Sequence, residues 1–339
     1  MDLDKTTHTA SAEAYEIIDI GGSRVGQSCR KALDEQFFQH RTGRCPFVDD
    51  MLMSSDAGLA QWSDLNRLPN YYQTSEEITL LEKHGAAIAA HILPGCSIID
   101  LGSADTRKIK PLLDHIESRA CAVTYYSVDL SRPSLASGLA KLATQYRHIK
   151  LVGLWGTFDD ALEYCKSIAS PRFLMSLGSM IGNDRWDDSI RNLTAWASLV
   201  GPEDAFLMGI DSHFDPDKIW ASYHDEGGVF ERFLRTGMAY TNDVLGVEWW
   251  RDSDWTLGGE FREKPLVHAF VFTAVRDVVC PAAGISFKAG DRIECYEGHK
   301  YTLDEMDKQF AVCGLKRIGR WKSPDGDIYE HLLAKADSV

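Results

Sequence analysis

The segment Cys96-Ser-Ile-Ile-Asp-Leu-Gly-Ser-Ala-Asp-Thr-Arg-Lys108 decides the fold of this chain. It opens with a short apolar run that ends in an acid and Gly102, which is typical of a buried parallel strand before a tight turn. Apolar residues at helical spacing between 112 and 116 predict a helix next, and the apolar run Ala122–Val128 then ends at Asp129. An acid at the tip of a second strand is placed to accept hydrogen bonds from a ribose diol. The pattern therefore predicts half of a nucleoside-binding fold.

The glycine turn bears on which nucleoside binds. A dinucleotide fingerprint requires G-x-G-x-x-G, whereas this turn has a single glycine, Gly102, and an acid, Asp105. Asp105 would repel a pyrophosphate, but it would not repel S-adenosylmethionine, which carries no phosphate. The turn by itself leaves open a methyltransferase, a dinucleotide-dependent oxidoreductase and a binding protein without catalytic activity.

Length and charge narrow the class of protein. A chain of 339 residues can bury a large core and is long enough for two lobes. The formal net charge of −14 argues against nucleic acid or an anionic membrane as a partner. No apolar run approaches membrane-spanning length, and the N-terminus lacks the apolar segment of a signal peptide. We therefore expect a cytoplasmic monomer that acts on a small molecule.

The cysteines indicate no special chemistry. All eight occur singly, and none forms a C-x-x-C pair. This spacing argues against a zinc site or a redox pair, so we expect free thiols in a reducing cytosol and no metal.

Strands and helices alternate through the middle of the chain. A helix predicted at Glu76–Ile92, with Ser75 as its N-cap, leads into the first strand. After Asp129 the patterns predict three further helix–strand pairs, 135–146 with 148–154, 159–168 with 172–177, and 188–199 with 205–210. Such alternation predicts a doubly wound, mostly parallel α/β sheet whose ligands bind at the carboxyl ends of the strands.

The pattern changes after residue 214. Helices are predicted there at 217–223, 228–242 and 303–311, and strands at 247–255, 267–275 and 292–301. Near the N-terminus, one further strand is predicted at 15–20. The turn sequence Ser323-Pro-Asp-Gly326 separates two further strands, 315–321 and 328–334, and predicts a terminal antiparallel hairpin.

From about residue 54 to the end, the chain resembles the EgtD-like histidine Nα-methyltransferase family of ergothioneine biosynthesis. The similar blocks are Gly58-Leu59, Leu68-Pro-Asn-Tyr-Tyr-Gln-Thr74, Asp100 to Lys108, Tyr126-Ser-Val-Asp-Leu-Ser131, Leu177-Gly-Ser-Met-Ile-Gly-Asn183, Asp211 with Tyr223, and Gly290 to Tyr301. The Leu-Pro-x-Tyr-Tyr and Gly-Ser-x-Ile-Gly-Asn blocks are more specific to this family than the glycine turn.

The resemblance implies a Rossmann-like class I methyltransferase domain with a second, α+β lobe that binds the substrate. On this basis residues 76–213 and 301–339 form the methyltransferase domain, and residues 14–75 and 214–300 form the substrate-binding lobe. Residues 1–13 are polar and are expected to be a disordered tail.

The resemblance also assigns the cofactor site. S-adenosylmethionine is the implied cofactor, and its contacts match six positions, Gly102, Ser103, Lys108, Asp129, Thr157 and Phe158. Phe158 matches the residue that packs near the adenine. Thr157 stands where the family usually has an acid, which is a departure from the family pattern.

The amino-acid head group has its own matches. Asn183 and Tyr223 match the residues that hold the backbone ammonium and carboxylate, and Tyr71 matches a tyrosine that lines the substrate site. Tyr71 and Asn183 are therefore the candidate catalytic residues.

The substrate side chain is where the sequence departs from the family. Tyr296 and Gly298 stand where the family has a glutamate and a serine that grip the imidazole of histidine, and Ala269 falls where those enzymes have a larger methionine. Loss of a polar grip with gain of room favours indole, as in the fungal relatives that N-methylate tryptophan or dimethylallyltryptophan. Tryptophan is the expected substrate, and histidine and 4-dimethylallyltryptophan are the alternatives.

The implied reaction is an in-line displacement of the sulfonium methyl by the α-amino group. The protein mainly has to orient the amine and exclude water, since positive sulfur already activates the methyl. The amine must first lose a proton, either to a hydroxyl such as that of Tyr71 or to water. We expect iterative transfer of one to three methyl groups.

Overall fold

The computed structural model describes residues 14–38, 47–48, 50–103 and 106–337. The strands are β1 (Glu16–Asp19), β2 (Ser97–Leu101), β3 (Val123–Asp129), β4 (Ile149–Trp155), β5 (Arg172–Ser176), β6 (Ala205–Asp211), β7 (Trp255–Glu263), β8 (Leu266–Ala274), β9 (Val278–Cys280), β10 (Ile285–Phe287), β11 (Arg292–Lys300), β12 (Leu315–Lys322) and β13 (Ile328–Lys335). The predicted tail, 1–13, and the acid Asp105 lie outside the described residues.

The helices alternate with these strands as expected for an α/β chain. They are α1 (Val25–Ala32), α2 (Asp56–Leu65), α3 (Tyr72–Ala89), α4 (Thr106–Ser118), α5 (Arg132–Ala143), α6 (Phe158–Cys165), α7 (Trp186–Ala197), α8 (Pro216–Tyr223), α9 (Val229–Leu245) and α10 (Leu303–Val312). Among the residues described, no helix is both long and apolar enough to cross a lipid bilayer.

An eight-stranded sheet forms the centre of the molecule, in the order β1-β4-β3-β2-β5-β6-β13-β12. The first six of these strands pair in parallel, and the hairpin β12–β13 closes the sheet antiparallel to β6. This arrangement confirms the Rossmann-like fold class and the terminal hairpin.

The two faces of the sheet bury two separate helix layers because neighbouring residues of a strand point to opposite faces. Ile98 belongs to the cluster that contains Leu81 of α3 and Leu112 of α4. Ile99 belongs to the cluster that contains Leu193 of α7 and Phe310 of α10. The adjacent isoleucines of β2 therefore fix both layers around the strand that precedes the glycine turn.

The second lobe is built on the antiparallel sheet β11-β8-β7, with a small β9–β10 ribbon. Its core is rich in aromatic rings from α8, α9 and the sheet, including Tyr223, Phe230, Phe270 and Phe272. Tyr71, from the segment between α2 and α3, belongs to the same cluster.

Strand β1 was expected in the second lobe, but it lies in the large sheet. Its backbone pairs with β4, where Ile17 is opposite Gly153. Ile17 packs against one helix layer and Ile18 against the other, which is the requirement for a strand covered on both faces. The assignment of residues 16–19 to the substrate-binding lobe was therefore wrong.

Two local predictions were also wrong. Helix α3 begins at Tyr72, so Ser75 lies inside it and is not its N-cap. The predicted strand at 247–255 is absent before Trp255 because Asn242 binds the backbone N–H groups of Trp249 and Trp250, at 3.0 and 2.9 Å. These two indoles are buried in the aromatic core, where irregular backbone lets both face inward.

Candidate active site

The loops after β2, β3, β4 and β5 lie at one edge of the large sheet. Because parallel strands place their carboxyl ends together, Gly102, Asp129, Thr157 and Gly178 all belong to this edge. The cofactor positions predicted from the sequence are therefore neighbours in space.

Gly102 allows the chain to turn where a side chain would not fit. Its φ of +73° lies in the left-handed region, and a Cβ atom here would come within 2.5 Å of the Met180 Sδ atom. The N–H groups of Gly102 and Ser103 donate to the carbonyl oxygen of Val128, at 3.1 and 3.2 Å. The Ser103 hydroxyl is hydrogen-bonded to that of Ser127, so the turn is tied to β3.

Asp129 is a buried carboxylate at the end of β3. Its Oδ1 atom accepts a hydrogen bond from the N–H of Ser131 at 2.8 Å. Burial raises the pKa of Asp129 to about 6, although the backbone N–H groups of Ser131 and Leu130 oppose this shift. The hydrogen bond from Ser131 thus fixes a buried carboxylate at the carboxyl end of β3.

Thr157 and Phe158 begin helix α6. The Thr157 hydroxyl accepts from the N–H of Asp160 at 3.1 Å, and the Asp160 carboxylate accepts from the N–H of Thr157 at 3.0 Å. In this capping box, the Thr157 side chain satisfies a backbone N–H group in the first turn of α6. The Phe158 Cζ atom lies 3.6 Å from the Cβ position built at Gly102, so its ring stands beside the glycine turn.

Lys108 connects the cofactor edge to a buried acid. Its Nζ atom lies 2.9 Å from Glu77 Oε2, and Glu77 Oε1 accepts from the N–H of Gly178 at 2.6 Å. A cavity beside these groups is bounded by Trp62, Asn66, Gly102, Lys108, Gly178 and Met180. Glu77 therefore links α3, α4 and the loop after β5 at one side of the cavity.

The sequence did not reveal a second buried acid, Glu330 of β13, next to Glu77. A Cβ atom at Gly209 would lie 2.2 Å from Glu77 Oε1 and 2.9 Å from Glu330 Oε1. Both carboxyl groups therefore lie against this glycine, next to each other. Burial and the nearby charge of Glu77 raise the pKa of Glu330 well above its ordinary value. Burial therefore favours the protonated form of Glu330, beside the Glu77 carboxylate.

Tyr223, at the end of α8, is surrounded by polar groups that the sequence did not bring together. Lys300 Nζ lies 3.4 Å from the Tyr223 hydroxyl oxygen and 2.5 Å from Asp211 Oδ2. The Tyr72 hydroxyl donates to the same Asp211 oxygen at 2.8 Å. In the sequence, the sign that Lys300 has a special role is a charged residue within a predicted strand.

A pair of histidines holds the ring of Tyr223 from one side. The imidazole of His268 stacks on it with a centroid distance of 4.6 Å and an interplanar angle of 17°. His268 and His224 are joined through their Nε2 atoms at 3.0 Å. Burial lowers the pKa of His268 to about 3, so its imidazole is neutral at physiological pH.

Asn183 lies in the loop after β5, next to Gly182. Its Oδ1 atom is buried and has no hydrogen-bond partner within the part of the chain that the structure describes. A buried carbonyl oxygen left unpaired costs about 1–3 kcal/mol, so a donor from a ligand or from water would stabilise it. Asn183 is thus a candidate to bind an amine.

Tyr71 and Tyr296 form part of an aromatic enclosure. Against the larger effect of burial, which raises the pKa of Tyr71, the Tyr296 side chain acts to lower it. The ring of Tyr296 lies 5.3 Å from Phe230, and that of Tyr71 lies 5.8 Å from Trp62. Burial, reinforced by nearby Tyr223, raises the pKa of Tyr71 well above its ordinary value, so its hydroxyl stays protonated and does not serve as a pre-ionised base.

The sheet register separates Ala269 from the other predicted pocket residues. Tyr296 is paired with Phe270 and Gly298 with His268, whereas Ala269 is opposite Glu297. Residues paired across strands share a face, so Ala269 points away from Tyr296 and Gly298. The placement of Ala269 in the pocket was therefore wrong.

The opposite face of this sheet is a network of ion pairs. Glu297 binds Arg185 at 2.9 Å and Arg262 at 2.8 Å. Although burial raises the pKa of Glu297, hydrogen bonds from His299 and Arg185 hold it well below its usual range. Glu297, which follows Tyr296 in the sequence, thus lies on the opposite face of the sheet and is paired with arginines there.

The comparison with known protein families identifies the chain. Residues 31–335 match the family of histidine-specific, SAM-dependent methyltransferases. The chain belongs to this family. It is therefore an S-adenosylmethionine-dependent methyltransferase, and the expected family, cofactor and enzyme class are confirmed.

Two fungal relatives illustrate the family. The methyltransferase is 32% identical over 292 residues to ergothioneine biosynthesis protein 1 of Neurospora crassa. The alignment covers 84% of this chain but 33% of that protein. It thus spans about a third of that relative. It is 27% identical over 352 residues to the 4-dimethylallyltryptophan N-methyltransferase of Claviceps purpurea, covering 95% of this chain and 99% of that enzyme.

Similarity to solved structures is more distant. A S-adenosylmethionine-dependent methyltransferase from Clostridium acetobutylicum aligns with a TM-score of 0.38 and 13% identity, over 85% of this chain and 96% of that one.

The residues at the sheet edge fit S-adenosylmethionine. Gly102 has no side chain and a positive φ, so a ligand can approach the backbone of the turn, and Asp129 presents a buried acceptor at the end of β3. The Phe158 ring stands beside the same turn. Among the residues that the structure describes, no group of three His, Cys, Asp or Glu side chains is arranged to hold a metal ion.

Proposed function

We propose that this methyltransferase transfers methyl groups to the α-amino group of an aromatic L-amino acid, with L-tryptophan as the preferred substrate. The observation that carries the proposal is the environment of Tyr296 and Gly298 on β11. The two residues share a face with Phe270, and Tyr296 lies near the rings of Tyr223 and Phe230. This is an aromatic enclosure in place of an imidazole grip.

The polarity of this enclosure disfavours histidine. Position 296 carries no carboxylate, and neighbouring Glu297 pairs with arginines on the opposite face. Neutral imidazole has one ring nitrogen that donates and one that accepts, whereas the Tyr296 hydroxyl pairs with only one of them. The ring nitrogen left unpaired costs about 1–3 kcal/mol. At about 1.4 kcal/mol per tenfold change, histidine is disfavoured by roughly 5- to 150-fold.

The same enclosure favours indole. Burial of apolar surface contributes about 25 cal/mol per Å², and indole offers more of it than imidazole. Its single N–H needs one acceptor, which the Tyr296 hydroxyl can supply. Offset or edge-to-face packing against Phe230 and Tyr223 adds about 0.5–1.5 kcal/mol per pair.

Two polar groups are proposed to hold the amino-acid head group. The unpaired Oδ1 atom of Asn183 is an acceptor suited to the amine. The hydroxyl of Tyr223 is suited to the carboxylate, because it already receives a hydrogen bond from Lys300.

The roles of the chain in the reaction follow from these positions. Bound S-adenosylmethionine supplies a methyl group on positively charged sulfur. Asp129 and Gly102 fix the cofactor end of the site, and Asn183 directs the amine. The buried hydroxyl of Tyr71 remains protonated, so it acts as a hydrogen-bonding group while solvent takes the proton from the ammonium.

A tryptophan prenylated at C4 is the second candidate. The specific observation in its favour is the nearly full-length alignment with the Claviceps enzyme, whose name specifies 4-dimethylallyltryptophan. Its prenyl substituent would need more room around Tyr296 than tryptophan does.

The test is a mass-spectrometric survey. The protein is incubated with S-adenosylmethionine, the twenty amino acids and 4-dimethylallyltryptophan in one mixture. The proposal expects tryptophan to gain one to three methyl groups first. Methylation confined to histidine would contradict it, and preferential methylation of the prenylated compound would select the second candidate.

A further inference from the structure

Lys300 is a buried cation next to Tyr223, one of the two residues proposed to hold the head group. Its side chain is 2% exposed, and its ammonium contacts Asp211 and the Tyr223 hydroxyl, at 2.5 and 3.4 Å. Burial lowers its pKa, but the charge of Asp211 more than offsets this and holds the pKa above the ordinary value. Lys300 is therefore charged in the folded protein.

The contact between Lys300 and Tyr223 has a fixed polarity. An ammonium group has donors and no acceptor, so the Tyr223 oxygen must accept this hydrogen bond. The phenolic proton of Tyr223 must then point elsewhere, toward another acceptor. The ring cannot turn away freely, because His268 stacks on it and Phe230 lies edge-on at 5.3 Å.

The backbone near Gly298 also limits the Tyr223 hydroxyl. This oxygen lies 2.5 Å from the position that a Cβ atom would occupy at residue 298. Gly298 and Lys300 are two residues apart on β11 and share a face, so one strand both makes room for the hydroxyl and donates to it. The pairing of Lys300 with Asp211 anchors that donor to the end of β6.

We propose that Lys300 is a positioning residue that turns the Tyr223 hydroxyl into a donor for the substrate carboxylate. The enzyme then selects amino acids with a free α-carboxylate against the corresponding decarboxylated amines. This inference rests on the proposed action on an α-amino acid, but it concerns the head group and not the ring. It therefore applies to a histidine substrate as well as to tryptophan.

The test compares kcat/KM for L-tryptophan and tryptamine in the parent, Lys300→Met and Lys300→Arg. Methionine keeps the length of the side chain without its charge, and arginine keeps the charge and the donors. We expect Lys300→Met to lower the preference for tryptophan over tryptamine by about 10-fold or more, since a hydrogen bond that involves a charged group is at stake. Lys300→Arg should restore part of this preference.

A structural role would give a different result. If Lys300 only supports the fold, kcat/KM for both compounds falls by the same factor, and this outcome overturns the inference. Because Lys300→Met leaves Asp211 buried without its cation, the neutral pair Lys300→Met with Asp211→Asn is measured as well. It should show the same loss of preference.

The dependence on Tyr223 provides an independent check. In a Tyr223→Phe background, Lys300→Met should cause no further loss of preference, because the hydroxyl it orients is gone. A full and additive loss would contradict the inference. If the parent methylates histidine and not tryptophan, the proposed substrate is wrong, and the same comparison with histidine and histamine still tests Lys300.

Discussion

The hydroxyl oxygen of Tyr223 lies 2.5 Å from the position that a Cβ atom would occupy at residue 298. Real Cβ atoms do not approach so closely, and Tyr223 is 4% exposed with its ring held by neighbours. Gly298 is thus required by the position of Tyr223. The glycine does not simply leave a vacant place where a serine could hold an imidazole.

Substitution of Gly298 should therefore damage the head-group site. Gly298→Ala and Gly298→Ser are both expected to lower kcat/KM for every amino-acid substrate by about 10-fold or more, through displacement of the Tyr223 hydroxyl. Steady-state kinetics with tryptophan and histidine checks this. Gly258→Ala is the matched control, because nothing lies within 4 Å of its added Cβ. A gain of histidine activity in Gly298→Ser would show that the clash is relieved.

Cofactor affinity should depend on the ionisation of Asp129. The ribose needs a carboxylate acceptor, and the pKa of about 6 means that acid protonates this group before the cofactor binds. The Kd for S-adenosylmethionine should rise by up to about tenfold per pH unit below 6. Calorimetry from pH 5 to 8 checks this.

Asp129→Asn is the control for that titration. Its affinity should be weaker at pH 8, and its pH dependence should be smaller. Burial also raises the pKa of Asp100 to about 7, and Asp100 lines the same cavity as Gly102, so Asp100→Asn tests any dependence that remains in Asp129→Asn. Equal affinity and equal pH dependence in parent and variant would refute the ribose assignment.

Tyr71 should contribute by hydrogen bonding and not by taking a proton. Tyr71→Phe removes a hydroxyl whose pKa is raised by burial, so kcat should fall while the alkaline limb of the kcat profile keeps its midpoint. Tyr296→Phe removes the neighbouring hydroxyl and is the paired variant. A limb that disappears in Tyr71→Phe alone would identify Tyr71 as the base.

Glu330 should stabilise Glu77 as a protonated donor. Glu330→Gln keeps a donor in the same place and should leave the free energy of unfolding near that of the parent at pH 7. Glu330→Leu removes the donor and should lower it by about 1–3 kcal/mol. Because its folded pKa is raised, the parent should lose stability as pH rises toward that pKa, whereas Glu330→Gln should not. Urea unfolding at pH 7 and 9 checks both expectations.

The sheet and its ligand edge could be predicted from the sequence because each strand there ends in a local signal. The run that ends at Gly102 and the run that ends at Asp129 need no knowledge of distant contacts. Strand β1 was harder to assign, since its pairing with β4 joins residues far apart in the chain.

The substrate pocket could be predicted only in part. The face of Ala269 depends on the register between β8 and β11, which shifts between Glu294 and Tyr296. The ion pair of Lys300 with Asp211 joins residues 89 positions apart, so a local sequence pattern does not predict it. Both features depend on tertiary pairing, which periodicity does not determine.

The most direct test of the account is the ratio of kcat/KM for L-tryptophan to that for L-histidine, measured with S-adenosylmethionine in competition. The aromatic enclosure around Tyr296 predicts a ratio in favour of tryptophan by roughly 5- to 150-fold from the unpaired imidazole nitrogen alone. Tyr296→Glu should lower that ratio. A parent enzyme that prefers histidine would contradict the assignment of this enclosure to an indole ring.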